Sequence, residues 1–329
     1  MQTRRQFISA VAAAAGAAGA ASVLGCNSPL AALSPAPGAP GASASTGSVA
    51  DAALELSIAR ANPQVEGLDM QRLATRLTES ALLGLGGMQR FVSRGSVVWI
   101  KPNIGWNRAP ELAANTNPDV VATLVRLCFE AGAAKVKVGD HTCHESRQTY
   151  VTSGIAAAAE KLGATVIHLD ESRFREVKLG GERLQLWPLA PEIIEADLVI
   201  NVPVVKHHSL TQTSLCMKNY MGVVGKRPAW HQDMETCLVD ITRYMKPRLC
   251  VLDAVRLLTA NGPTGGDVGD VRMAYTVAAG TDIVGLDAFG GSLLGHDPAT
   301  MPILRRAVSN KLGQLDWKKL RQREDTVTL

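Results

Sequence analysis

Lys206, His207 and His208 stand side by side at the end of the apolar run "DLVINVPVV", and Lys218, Asn219 and His231 follow closely. Imidazole titrates near neutral pH, and a nearby cation lowers a lysine's pKa, so His208 with Lys206 reads as an acid/base pair. Lys218 joins them as a catalytic candidate. The alternative for the Lys-His-His triplet is a solvated turn. Against that, the preceding apolar run is buried and would deliver at least one side chain into a cleft.

Further polar groups have matching chemistry. "DHTCH" sets Asp140, His141, Cys143 and His144 within one short loop. Asp140 and His141, completed by His207 or His231, would hold a divalent transition metal. The bland alternative is a polar, hydrogen-bonded loop. "NGPTGGD" offers the amides of Asn261, Gly262, Gly265 and Gly266 as an anion-binding nest, or simply a tight turn. Lys101 and Asn103 close the run "VVWI". Lys101 and Lys218 would hold an anion, with Asn103 and Asn219 orienting it.

Several chemistries are absent. There is no CxxC, so a four-Cys iron–sulfur cluster is not expected. No GK[ST] follows the Gly-rich loop, and no GxSxG, HExxH or well-placed GxGxxG occurs. A net charge of +4 without a reading motif argues against nucleic acid as a partner. The expected partner is a small anionic ligand.

The elements that must position these groups alternate in type. Apolar runs at 96–100, in "AKVKVGD", "TVIHLD", "DLVINVPVV", "RLCVLDAV" and "YTVAAG" read as strands. Helical patterns lie between them, from Asp69 to Phe91, near 211–223 and 234–244, and towards the end at "PILRRAVSNKLG". Another has Asn117 as its cap, Pro118 at its first position and Gly132 as its stop. Ser153 would cap a further one. "REVKL" and "RLQLWPL" flank Gly180-Gly181 and predict a β-hairpin. The expectation is an α/β fold, a mainly parallel sheet with helices on both faces plus that hairpin. With 46% hydrophobic residues in 329, a sizeable core is available, and 51–329 reads as one domain.

The N-terminus has another purpose. Arg4-Arg5 before an apolar run ending at Leu24 predicts a twin-arginine signal over 1–26. The implied partner is the twin-arginine export machinery, and the location is periplasmic or extracytoplasmic. "SVLGC" resembles a lipobox, so Cys26 is a candidate lipidated membrane tether; the alternative is ordinary peptidase cleavage. Residues 27–50 are a Pro/Ala/Gly/Ser tether.

Ligands of open parallel sheets bind beyond the carboxyl ends of the strands. Lys101–Asn103, Asp140–His144, Lys206–His208 and the segment after Asp253 would then share one rim. With "VVWIKPNIGW", "EAGAAKVKVGDH", "ADLVINVPVVKHHSLTQTSLCMKNYMGVVG" and "LCVLDAVRLLTANGPTGG" in this order, the chain resembles the domain-of-unknown-function 362 family from about Ser96 to Leu315. Within that pattern Lys101, Asn103, Asp140, Lys206, His208, Lys218, Asn219, Gly222, Asp253, Gly262, Pro263 and Gly266 match family positions. His207 and His141 fall where the family varies. Many members carry a ferredoxin-like module, which this chain lacks. The resemblance implies a fold and a site but names no reaction. Two functions stay open: an exported enzyme for a small anion, or a binding protein serving a redox system. A distant analogy is the nickel-dependent lactate racemase type, which also sets His and Lys around a cofactor.

Overall fold

The computed structural model describes residues 53–62 and 69–328. The signal, Cys26 and the tether lie outside the described residues. Twelve strands occur among them: β1 (Leu56–Ala61), β2 (Val97–Pro102), β3 (Lys135–Val138), β4 (Thr165–Val166), β5 (Arg175–Lys178), β6 (Leu186–Leu189), β7 (Leu198–Val202), β8 (Val204–His208), β9 (Gln212–Ser214), β10 (Leu249–Leu258), β11 (Val271–Gly280) and β12 (Gln322–Val327). Ten form one mixed sheet in the order β12-β1-β11-β10-β7-β2-β3-β4, with β8 beside β10 and β9 beside β8. β10, β7, β2, β3 and β4 run parallel. β11 is antiparallel to both β10 and β1. The expected α/β class is the observed one, and β5 pairs β6 as the separate hairpin around Gly180-Gly181.

Side chains alternate between faces along each strand. Val98 and Ile100 of β2 therefore enter one core while Trp99 enters the other. β10 divides likewise, with Val251 on one side and Leu252 on the other. Helices cover both faces, which is why the central strands are apolar throughout. Met70–Gly84 and Pro118–Glu130 pack on one core. Met234–Met245 and Ile283–Leu293 pack on the other. The start at Asn117-Pro118 is as expected: the Asn117 side chain accepts the Asp119 N–H at 2.9 Å.

Three expectations need correction. "DLVINVPVV" is not one strand, because Pro203 has no N–H to give the ladder and the chain breaks there. β7 stays between β10 and β2, while β8 runs on beside the later part of β10 and pairs β9 on its other side. The pattern at 211–223 is not one helix: it holds β9, the four-residue helix Cys216–Asn219 and a 3₁₀ turn. Ser153 is followed by Gly154, which takes the cap position of Ile155–Glu160 instead. Strands β1 and β12, at opposite ends of the described chain, were not anticipated.

Candidate functional site

The parallel order β10-β7-β2-β3 puts the carboxyl ends of these strands on one edge of the sheet. Lys101 leaves β2 fully buried. Its Nζ lies 2.7 Å from Asp140 Oδ1, past the end of β3. It also donates to Asn219 Oδ1 and to the Pro102 carbonyl, each at 2.9 Å. Burial pulls its pKa down while Asp140 pulls it back up. Asp140 completes its own shell by accepting the Ile104 N–H at 2.8 Å. Gly222 closes over this pair, and a β carbon there would fall 1.8 Å from Asp140 Oδ1.

Lys206, also buried, is held by three acceptors. Its Nζ donates to the Ala114 carbonyl at 2.6 Å, Asn103 Oδ1 at 2.9 Å and the Pro263 carbonyl at 3.1 Å. All three N–H bonds of the ammonium are thus spent on the scaffold. Burial lowers its pKa to about 7.

The short helix Cys216–Asn219 is placed by groups whose role the sequence did not reveal. Asp287, in the helix Ile283–Leu293, accepts the N–H groups of Cys216 and Met217 at 2.6 and 2.9 Å. Asn201 of β7 donates to the Cys216 carbonyl at 2.8 Å and accepts from Asn219 Nδ2 at 2.8 Å. Asn219 is buried by these contacts. Lys218, next to it, is only half-buried. Its Nζ meets only the thioether of Met221, at 3.1 Å, and sulfur there is a weak acceptor. Burial lowers the Lys218 pKa to about 8.

The histidines divide. His208 Nδ1 accepts the Leu210 N–H at 3.1 Å, which leaves the proton on Nε2. Burial first, then Lys218 and Lys206, push its pKa down to about 3. It is a neutral imidazole at physiological pH and not the near-neutral base expected. His207 Nδ1 accepts the Gly262 N–H at 3.1 Å. That amide is unavailable to an anion, and the Gly265 N–H is bonded to the Asn261 carbonyl at 3.1 Å. The loop 261–266 therefore clamps β8 and supplies an acceptor to Lys206. Asn261 itself points its amide at Asp270 Oδ2, 2.9 Å away. Gly266 lies against Arg108, whose guanidinium would be 3.4 Å from an added β carbon.

The metal set expected from the sequence is not assembled. Asp140 is taken by Lys101. His141 Nδ1 is 3.3 Å from the Val224 carbonyl and its Nε2 is 3.8 Å from Glu171. His207 holds Gly262. His231 is exposed and lines a pocket of about 440 Å³ with Leu210, Met234 and Ile303. Among the described residues no three His, Cys, Asp or Glu side chains form a group that could hold a metal. A larger depression of about 780 Å³, lined by Arg76, Glu79 and Met88, contains none of the site residues.

Arg227 is an unforeseen member. Its guanidinium donates to the carbonyls of His141 and Thr142 at 2.8 and 2.7 Å, and its Nη1 lies 3.7 Å from Cys143 Sγ. Lys101 pairs with the buried Asp140 carboxylate, Lys206 is close enough to feel the same charge, and Arg227 acts on both Lys101 and Lys218. Asp253 is also at this edge, but it accepts the Asn117 and Val255 N–H groups at 2.7 and 3.1 Å and starts a helix.

An α/β fold with a cation-rich site at the carboxyl edge of its sheet is what the described residues define. The chain belongs to the family described as Domain of unknown function (DUF362), which matches residues 98–291. It is 31% identical over 239 residues to the thylakoid-associated protein sll1697 of Synechocystis sp., covering 70% of this chain and 72% of that protein. Among solved structures it is similar to the lactate racemase apoprotein of Thermoanaerobacterium thermosaccharolyticum, at 12% identity and a TM-score of 0.41. That match covers 72% of this chain, which spans 56% of the racemase chain. No helix among the described residues is long and apolar enough to cross a membrane.

Proposed function

We propose that the protein is an enzyme acting on a small organic anion, with Lys218 as the group that binds the charge and exchanges a proton. The observation that carries this is the Lys218 ammonium. It is half-buried near Arg227, yet only a thioether faces it. A partly buried cation without a strong acceptor is completed by a ligand that supplies one. With a pKa of about 8, it exists in both protonation states near neutral pH. His208 contributes a neutral Nε2–H. Lys101, Asn103, Asn219 and Lys206 hold one another and so hold Lys218 in place.

A second reading is capture without turnover. In its favour, Lys206 has no free N–H bond, which reduces the acid/base inventory to Lys218. Calorimetry of the full chain with glycolate, acetate, phosphate and sulfate tests the common core. Binding should occur and weaken at least tenfold in Lys218→Met. Equal affinity in that variant would sink both readings. Exchange of substrate C–H protons into D₂O, followed by NMR, separates turnover from capture.

Export by the twin-arginine route is part of the same proposal, carried by Arg4-Arg5 and the apolar run after them. The Synechocystis relative is named as thylakoid-associated; here, association with a membrane would come through a lipid on Cys26. Cell fractionation of an Arg4→Lys/Arg5→Lys variant should find the protein retained in the cytoplasm. Unchanged export would refute the route.

A further inference from the structure

The segment 104–115, between β2 and the helix Pro118–Glu130, is held from within by one buried side chain. Asn115 Oδ1 accepts the Gly105 and Trp106 N–H groups at 3.0 and 3.1 Å. Its Nδ2 donates to the Trp106 and Arg108 carbonyls at 2.7 and 3.1 Å. The same segment belongs to the site: the Ala114 carbonyl accepts from Lys206, and the Trp106 ring centroid lies 5.9 Å from Lys206 Nζ. The backbone of Arg108 is thus fixed on a loop that also holds Lys206, yet its guanidinium is almost unused. Of its five N–H bonds, one meets a carbonyl, that of Asn107, at 3.2 Å. Nε is buried without a partner, and no carboxylate pairs with the group among the described residues. What faces it is Gly266, where an added β carbon would lie 3.4 Å from Nη2 and 3.5 Å from Nε. The acids that follow Gly266 are committed elsewhere. Asp267 Oδ1 accepts the Gly269 N–H at 2.8 Å, and Asp270 Oδ2 accepts from Asn261 at 2.9 Å.

We propose that Arg108 recognises the ligand's carboxylate, gripping both of its oxygens where the segments 104–115 and 261–266 face each other. This rests on the reading of an anion site at this edge, but on residues other than Lys218, and it adds the class of group recognised. Both segments are tied to Lys206, one through the Ala114 carbonyl and the other through that of Pro263. A guanidinium differs from an ammonium in shape. Its N–H bonds lie in one plane and run parallel in pairs, which matches the two coplanar oxygens of a carboxylate. Nη2 and the nitrogen beside it, Nε or Nη1, form such a pair here with no acceptor in the protein. Gly266 is exposed and has no side chain, so nothing but backbone stands against that edge.

Calorimetry of the full chain with glycolate tests this in Arg108→Lys and Arg108→Ala. Lysine keeps the charge and loses the fork, so Arg108→Lys should bind glycolate at least about tenfold more weakly. In Arg108→Ala, added methylguanidinium should restore much of the lost affinity, whereas methylamine, of the same charge, should not. A purely structural defect would respond to neither. Unchanged affinity in Arg108→Lys, no rescue, or equal rescue by methylamine would overturn the proposal. Lys218→Met judges the other reading separately. Binding lost there but kept in Arg108→Lys leaves Lys218 and removes Arg108; the opposite pattern does the reverse. If the wild type takes up no glycolate, both fall.

Discussion

Lys101 Nζ and Asp140 Oδ1 meet at 2.7 Å with both side chains shut off from water, and this ion pair joins the ends of β2 and β3. Removing one partner leaves the other charge buried and alone. Lys101→Met or Asp140→Asn should each cost about 3–5 kcal/mol in urea unfolding, whereas the double variant should recover part of that loss. Additive losses would show that the pair is not coupled.

Gly222 allows the pair to close. Its φ is ordinary, so flexibility is not the reason for glycine here; space is. Gly222→Ala places a methyl group 1.8 Å from Asp140 Oδ1 and 2.6 Å from Lys101 Nζ. The loss should be about 3 kcal/mol or more. Gly180→Ala is the control. Nothing lies within 4 Å of its added carbon, and only its φ of +65° is strained, so about 1 kcal/mol is expected. Comparable losses at the two positions would contradict the packing argument.

Asp287 should give stability a recognisable pH dependence. Burial raises its pKa to about 7 in the folded protein, above the ordinary 3.8. The folded state therefore holds more protons between these values, and the contribution present at low pH is lost as pH rises towards 7. Urea midpoints of the wild type relative to Asp287→Asn should fall over pH 4.5–7.5. The variant should also weaken glycolate binding, because the helix end carrying Lys218 loses an acceptor for Cys216 or Met217. A difference that rises with pH would refute the assignment.

His208 should not titrate in the physiological range. Its pKa of about 3 and the Leu210 N–H on Nδ1 fix the neutral Nε2–H form. Ring ¹⁵N shifts should stay constant from pH 4.5 to 8. A midpoint near 6.5 would restore it as the neutral-pH base that its residue type suggests.

The fold was legible because its physical signals are local. Alternating strands and helices, the Asn117-Pro118 start and the Gly180-Gly181 hairpin can each be read from a few neighbouring residues. The rule that parallel strands deliver groups to one edge then brought Lys101, Asp140 and Lys206 together. What remained hidden depends on distant partners. Nothing near Asn201 says that its amide will hold Asn219. Asp287 did leave a signal, a carboxylate within an apolar helix, which burial obliges to find donors. Arg227 carried no local signal, because its partners, the carbonyls of His141 and Thr142, are more than 80 residues away. The break at Pro203 was visible as a residue, but the new neighbours of β8 were not. His208 departs from a free imidazole because burial and cations act on it together.

The three acceptors of Lys206 belong to Asn103, Ala114 and Pro263, separated from it along the chain by 103, 92 and 57 residues. Each requires a long loop to close before the contact exists. The site is therefore an endpoint of folding rather than a nucleus for it. A nascent chain cannot offer a half-made version of it to a ligand. Ligand binding here would serve as a test of completeness for the whole polypeptide.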